Sequence, residues 1–279
     1  MKNLIYPCLW FDGKAGEAAD FYCKVFKNSK ITSSNPMVTV FESNNQKFMC
    51  LNGGPEFSIN HSISFFILCK TVEETENLWF SLLEGGSALM PLDKYEFNEK
   101  YGWVQDKFGV SWQLFTSATD DVGQKFTPTF MFTGKNAGKA EEAVNYYTSL
   151  FEGSEIVGIL KYTKEENANE GLVKHAQFKL GRNIFMAMDS SLEHDFSFNE
   201  AISLVIECET QDEIDFYWNN LSKGGSEGQC GWLKDKFGVS WQIIPEVLEK
   251  LMNDPSKTER VVNAFLKMKK FEIDKLVNA

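Results

Sequence analysis

Few residues in this chain are equipped for chemistry, and they are scattered. Its histidines are His61, His175 and His194. His61 and His194 stand in polar loops ahead of strand-like segments, whereas His175 opens a strand. With Asp189, which closes the next apolar run, His175 is the candidate for any general acid–base role. The pairs Asp106-Lys107 and Asp235-Lys236 have the types of an acid–base couple. Each is followed by Phe-Gly and lies between two strands, so a turn is the reading the pattern favours. Gln113 and Gln242 alternate with Trp112 and Trp241 along a strand, which sends glutamine and tryptophan to opposite faces. The tryptophans are predicted to pack under helices. The glutamines either bond neighbouring backbone or face a pocket and orient a ligand there. Gln113→Ala and Gln242→Ala are expected to leave stability nearly unchanged, and a loss of more than about 2 kcal/mol would make the pair structural. The six cysteines, Cys8, Cys23, Cys50, Cys69, Cys208 and Cys230, form no C-x-x-C pair. Zinc-ribbon and thioredoxin-type readings therefore lose their signature.

The glutamines recur because the chain repeats itself. Residues 102–113 (GWVQDKFGVSWQ) return as residues 231–242 (GWLKDKFGVSWQ), differing only at Val104/Leu233 and Gln105/Lys234. Residues 7–14 (PCLWFDGK) parallel 128–135 (PTFMFTGK), and 17–26 parallel 142–151. Residues 63–87 parallel 202–226, keeping a Cys, a Trp and a Gly-Gly in step. The second copy mostly lacks residues 88–100, and His175 has no counterpart in the first, where Val38 stands. These alignments predict an α+β chain with domains at 1–116 and 126–245, a polar linker at 117–125 carrying Asp120-Asp121, and a helical tail at 246–279. A length of 279 residues suits two domains.

Each copy reads as two β-α-β-β-β modules. In the first copy, residues 4–11 form an apolar strand that ends at the turn signal Asp12-Gly13. Residues 15–26 place Ala18, Phe21, Tyr22, Val25 and Phe26 at helical spacing. Residues 36–52 give two strands around Asn44-Asn45. The second module begins with a strand at residues 63–69 and a helix at residues 72–83, closed by Gly85-Gly86. Strands at 102–105 and 110–115 follow, joined by the turn at 106–109. In the tail, Val261, Val262, Phe265, Leu266 and Met268 make an apolar helical stripe that must cover a domain surface or a subunit contact.

Net charge is −11 and the only arginines are Arg182 and Arg260. That balance disfavours nucleic-acid and anionic-membrane partners. No apolar run is long enough to cross a bilayer, and the first residues lack the pattern of a signal peptide. The expected location is the cytoplasm.

The module order, with Phe-Tyr in the first helix and G-W-x-x-D-K-F-G-V-S-W-Q near the end of each copy, resembles the vicinal oxygen chelate superfamily. That group includes glyoxalase I, extradiol dioxygenases and bleomycin-resistance proteins. Trp10-Phe11-Asp12-Gly13-Lys14 and Leu51-Asn52-Gly53-Gly54-Pro55 are similar to its PhnB-like branch, labelled 3-demethylubiquinone-9 3-methyltransferase. The resemblance covers roughly residues 3–116 and 126–245. It implies tandem glyoxalase-like domains in which βαβββ modules form curved mixed sheets, cupped around a pocket.

In that superfamily a divalent metal is held by residues of the first and last strands of each module, and acts as a Lewis acid. Carried over position by position, the resemblance puts Pro7 and Pro128, Ser64 and Ser203, and Gln113 and Gln242 in the ligand places. A fourth falls near Leu51-Asn52 or Met188-Asp189. Proline offers no ligand and serine a poor one, so neither a metal nor another cofactor is expected. The label's methyltransferase cofactor would need a glycine-rich turn after the first strand, and none is present. The expected function is metal-independent binding of a small organic ligand. Leu9, Phe11, Ser64, Phe66, Gln113, Phe130, Phe132, Ser203 and Gln242 would line the cups. Two alternatives stand beside it: a glyoxalase-type lyase or isomerase with an atypical ligand set or with His175 or Asp189 as acid–base, and a non-catalytic interaction scaffold. The fused copies are expected to pair within one chain, as a monomer or loose homodimer. The extra residues 88–100, with Tyr95, Phe97 and Tyr101, are expected to cap one cup.

Overall fold

A computed structural model describes residues 5–118, 123–166 and 169–279. Leu4, placed in the first strand above, and Asp120-Asp121 of the linker lie outside the described residues. The order β-α-β-β-β occurs four times. The first module is β1 (Ile5–Phe11), α1 (Ala15–Val25), β2 (Ser29–Ser34), β3 (Val38–Ser43) and β4 (Gln46–Asn52). The second is β5 (Ile63–Cys69), α2 (Val72–Leu83), β6 (Ser87–Tyr95), β7 (Asn98–Gln105) and β8 (Ser111–Thr116). The third is β9 (Phe126–Phe132), α3 (Ala140–Leu150), β10 (Glu155–Lys161), β11 (Val173–Leu180) and β12 (Asn183–Asp189). The fourth is β13 (Ile202–Cys208), α4 (Gln211–Leu221), β14 (Ser226–Glu227), β15 (Trp232–Lys234) and β16 (Ser240–Pro245). Three short helices follow: α5 (Val247–Met252), α6 (Thr258–Phe265) and α7 (Ile273–Val277).

Local chemistry starts and stops these elements. The Thr71 hydroxyl accepts from Glu74 N at the head of α2, and Thr210 with Glu213 makes a full capping box on α4. For α1 and α3 the cap comes from another strand. Asn52 Oδ1 accepts from Ala15 N, and Asp189 Oδ1 accepts from Gly138 N and Ala140 N. β2 escapes the sequence reading because it is polar and mostly exposed, with no alternation to see.

The chain forms two compact units, Leu9–Ser197, and the segment up to Cys8 with Phe198–Ala279. The larger unit contains a complete eight-stranded sheet in the order β10-β11-β12-β9-β5-β8-β7-β6. Its central seam is the antiparallel pair β5–β9, flanked by the parallel pairs β5–β8 and β9–β12. The second module of the first copy thus pairs with the first module of the second copy. β1 belongs to both units. The terminal unit holds the strand order β14-β15-β16-β13, and the larger unit also holds β4-β3-β2.

The core of the larger unit is aromatic. Phe41 stacks on Phe48, Phe48 meets Phe126, and Phe65 lies 5.2 Å from Trp112. Asp106 sits beneath this cluster. Its Oδ1 accepts from Phe108 N and Val110 N, holding the turn, while Oδ2 accepts from Trp112 Nε1 at 2.7 Å and from the Tyr22 hydroxyl at 2.9 Å. Gly109, at φ +90°, closes that turn. Burial pushes the Asp106 carboxyl above its ordinary range, against four donors that pull it down. Asp235 repeats the arrangement with Phe237 N, Val239 N and Trp241 Nε1. These aspartates are turn anchors.

The tail docks where the second copy is shortened. Cys230 N donates to Met268 O and Gly231 N to Lys269 O. Gln211 bonds the backbone of Phe271 and Ile273. A Cβ on Gly231 would come within 2.6 Å of the Phe271 ring, so the glycine is required for the docking. In the first copy the long β6–β7 hairpin occupies the corresponding edge, and a Cβ on Gly102 would meet Trp79.

Asp106→Asn turns an amide NH2 toward the Trp112 donor, so a loss of about 3 kcal/mol is expected in urea unfolding, against about 1 kcal/mol for Tyr22→Phe. Equal losses would show that the carboxylate does not organise the turn.

Candidate functional site

Registers assign the two faces of the larger sheet. Phe130 lies 6.1 Å from Tyr147 of α3 and stacks on Phe185, so it faces the helix layer. Phe132 shares its alternation, and both are fully buried. Phe11 meets Phe108, which packs on Phe21 of α1, and Leu9 follows the same alternation as Phe11. Leu9, Phe11, Phe130 and Phe132 therefore belong to the core beneath the helices and do not line a cup. The sequence marked them as apolar but gave no phase for the alternation.

The helix-free face carries the opposite set. Ser64 pairs with Thr129, Phe66 with Thr127 and with Gln113, and Gln113 with Trp103. Met186 pairs with Thr129 on the far side of the seam. Phe66, Leu68, Ile184 and Met186 form one cluster, with Phe115 against it. On this face Phe66 keeps 9% exposure, Gln113 4%, Ser64 and Thr129 2% each and Thr127 none.

Gln113 is held on both sides of its amide. Tyr101 Oη donates to Oε1 at 2.8 Å, and Nε2 donates to Ser64 Oγ at 2.7 Å. Tyr101 in turn packs with Tyr95 and Phe97 at the tip of the β6–β7 hairpin, an aromatic triangle on the rim of this cup. In the terminal unit Gln242 Nε2 donates to Ser203 Oγ at 2.9 Å. There Cys8 takes the place of Thr129. Burial pushes its thiol up to about 12, against weak help from Gln242 and Ser203, so it is a neutral side chain. The residue in the place of Tyr101 is Cys230.

These placements revise two positions inferred from the resemblance. Pro128 pairs with Phe65 on the helix side, so the inward residue of that strand is Thr129, and by alternation Cys8 replaces Pro7. Asp189 also turns away. Besides capping α3 it accepts from Val173 N, so its oxygens are occupied by three backbone donors and it is not an acid–base group. The inward residues beside it are Met186 and Met188. The inward residues at the four places that correspond to metal ligands are then Ser64, Gln113, Thr129 and Met186: two hydroxyls, an amide and a thioether. Such a set offers no carboxylate, imidazole or thiolate, and it does not fit a divalent metal. Among the described residues, no group of three or more His, Cys, Asp or Glu side chains is close enough to hold an ion.

His175 shares the alternation of Gln177, which pairs with Met186, so it lies on the cup side of β11. Burial pushes its imidazole below the ordinary value and keeps it neutral. His61 Nδ1 lies 2.6 Å from Ser111 Oγ, and Phe196 sits between His61 and His194.

A curved eight-stranded sheet of paired βαβββ modules is the fold of the vicinal oxygen chelate superfamily. The chain belongs to the 3-demethylubiquinone-9 3-methyltransferase family, whose description matches residues 3–115 and again 124–244. A PhnB protein from Bacillus cereus is 36% identical over 40% of this chain and 98% of its own, at a TM-score of 0.38. A Staphylococcus aureus protein is 31% identical over 40% of this chain and 94% of its own, at a TM-score of 0.19. Glyoxalase I from Zea mays shares the fold across 90% of this chain and 96% of its own, at 11% identity and a TM-score of 0.59. No curated protein matches.

Both ends of the Gln113 amide are engaged and the residue is only 4% exposed, so the geometry argues against a stability-neutral substitution. Gln113→Ala is expected to cost about 2 kcal/mol in chemical unfolding, and Gln242→Ala, which lacks the tyrosine partner, less. Equal and negligible losses would show that neither bond holds in solution.

Proposed function

We propose that this chain is a metal-independent small-molecule-binding protein that holds its ligand in the cup of the larger unit. The carrying observation is the inward set Ser64, Gln113, Thr129 and Met186, which is polar enough to orient a ligand and too poor in anionic or imidazole donors to bind an ion tightly. Tyr101 and its aromatic neighbours close one rim. The family's printed label names a methyltransferase. The residues argue against that chemistry here: β1 runs into α1 through Asp12-Gly13-Lys14 with no glycine-rich cofactor-binding turn, and the edges of the sheet are antiparallel.

The reading carries a location and a set of partners with it. Six free thiols suit the reducing cytoplasm. Among the described residues no helix is long and apolar enough to cross a membrane. The net charge of −11 disfavours nucleic acid. The β5–β9 seam pairs the two copies within one chain, which supports a monomer or loose homodimer.

A second reading, a lyase or isomerase, is favoured by one observation: His175 is a neutral imidazole on the cup side of β11, able to move a proton.

The test is elemental analysis of protein purified without a histidine tag, followed by thermal shift with divalent ions and with neutral organic compounds. No stoichiometric metal, no shift with ions and a shift with organic compounds are expected. Stoichiometric metal, or a large shift with an ion, would overturn the proposal. A protein indifferent to all of them would be the interaction scaffold.

A further inference from the structure

Two buried donors on the cup face have no hydrogen-bond partner, Trp103 Nε1 and Thr127 Oγ1. Leaving such groups unpaired away from water is costly, and natural structures rarely do so without a reason. Their placement supplies one. Trp103 pairs with Gln113, Gln113 with Phe66, and Phe66 with Thr127. The two orphans therefore end a single row that crosses the cup floor, with Gln113 and Phe66 between them. The third orphan among the described residues, Asn183 Nδ2, has the opposite alternation on β12 from Ile184 and Met186, and is not part of this row.

The rest of the row sets the ligand's chemistry. Gln113 has spent its amide on Tyr101 and Ser64. Ser64, used as an acceptor, keeps its own hydrogen to give. The floor thus holds buried donors at Trp103, Ser64 and Thr127, which a ligand reaches only by parting the side chains above them, and no ionisable group stands in the row. Between the donors lie Phe66 and Phe115, with ring centroids 5.2 Å apart. Three strand spacings of about 4.8 Å separate the outer backbones by about 14 Å, too far for one oxygen to serve both ends.

Resting on the reading of this cup as a ligand site, we infer that it takes a neutral, flat, largely apolar molecule with acceptor oxygens toward both ends, of the diketone or diester class. Its body lies over Phe66 and Phe115, and its oxygens accept from Trp103 Nε1–H at one end and from the Thr127 hydroxyl at the other. A carboxylate would have to surrender its hydration to a floor with no cation.

The experiment compares three probes of one shape: diacetylnaphthalene, diethylnaphthalene and naphthalenedicarboxylate. Each is titrated into the full chain and into its Trp103→Phe and Thr127→Val variants. Diacetylnaphthalene is expected to bind at least about tenfold more tightly than diethylnaphthalene, about one hydrogen bond's worth. Each variant should reduce that preference several-fold, and the dicarboxylate should bind weakest. Without ligand, Thr127→Val should melt no lower than the parent, since it removes an unpaired hydroxyl. Equal binding of the diketone and the hydrocarbon, as when a water already serves the donors, would overturn the donor row and leave the cup reading standing. A marked fall in melting temperature of Thr127→Val would also overturn the row, by revealing a structural partner for the hydroxyl. Binding by none of the three would overturn the row and the cup reading together.

Discussion

The antiparallel seam between β5 and β9 is the constraint on which the larger unit depends. Side chains alternate along a strand with a period of two, so the register of this one pair decides which residues of both copies share a face. With Ser64 opposite Thr129 and Phe66 opposite Thr127, the hydroxyls and the cup phenylalanine lie on one side. Phe65, Phe126 and Phe130 lie on the other, under the helices. A slip by one residue would bury the hydroxyls in the aromatic core and turn the phenylalanines out. The core fixes the phase. Phe126 fits against both Phe26 and Phe48, and Asp106 ties Trp112 to Tyr22 from below.

Much of this architecture is legible in the sequence. The repeated Asp-Lys-Phe-Gly-Val-Ser-Trp-Gln marks the turn, the core tryptophan and the inward glutamine in both copies, and all three lie where the alternation puts them. The helix at residues 72–83 is marked by Thr71 ahead of it and Gly85-Gly86 behind. The cup was less legible, for a physical reason. In a strand buried on both faces, such as IYPCLWF or FTPTFMF, every residue is apolar or small, so the pattern has no phase. Leu9, Phe11, Phe130 and Phe132 share the alternation of Pro7 and Pro128, so placing the prolines at the ligand position carries all of them inward, whereas that position falls on Cys8 and Thr129. The edge strand β2 escaped for the opposite reason, being polar throughout. Asp189 looked catalytic because sequence cannot show three backbone donors converging on one carboxylate.

The two copies have diverged around a shared plan. In the larger unit the β6–β7 hairpin brings Tyr101 to Gln113, and Tyr95 and Phe97 to the rim. In the terminal unit that hairpin is cut short to β14 and β15. Cys230 stands in place of Tyr101, and the tail lies along the shortened edge through Met268 and Lys269. The buried, neutral Cys8 further separates this site from the other. Both glutamines keep their serine, so the pair is an inherited element, and the tyrosine that completes it exists on one side only. Where a metal-dependent relative would concentrate charge, the inward positions here carry hydroxyls, an amide and sulfur. Any specificity then has to come from hydrogen-bond direction and aromatic shape.

The second module of the first copy and the first module of the second share one sheet within a single chain. This pairing is tested most directly by a disulfide across the seam. Residues directly opposite in an antiparallel pair lie within reach of such a bond, so Ser64→Cys combined with Thr129→Cys should oxidise to a monomer whose digest contains the linked 64 and 129 peptides. The control pair Ser64→Cys with Phe130→Cys, one residue out of phase, should not link. A 64–129 bond found only between chains, or preferential linkage of the control pair, would contradict the seam and the cup built on it.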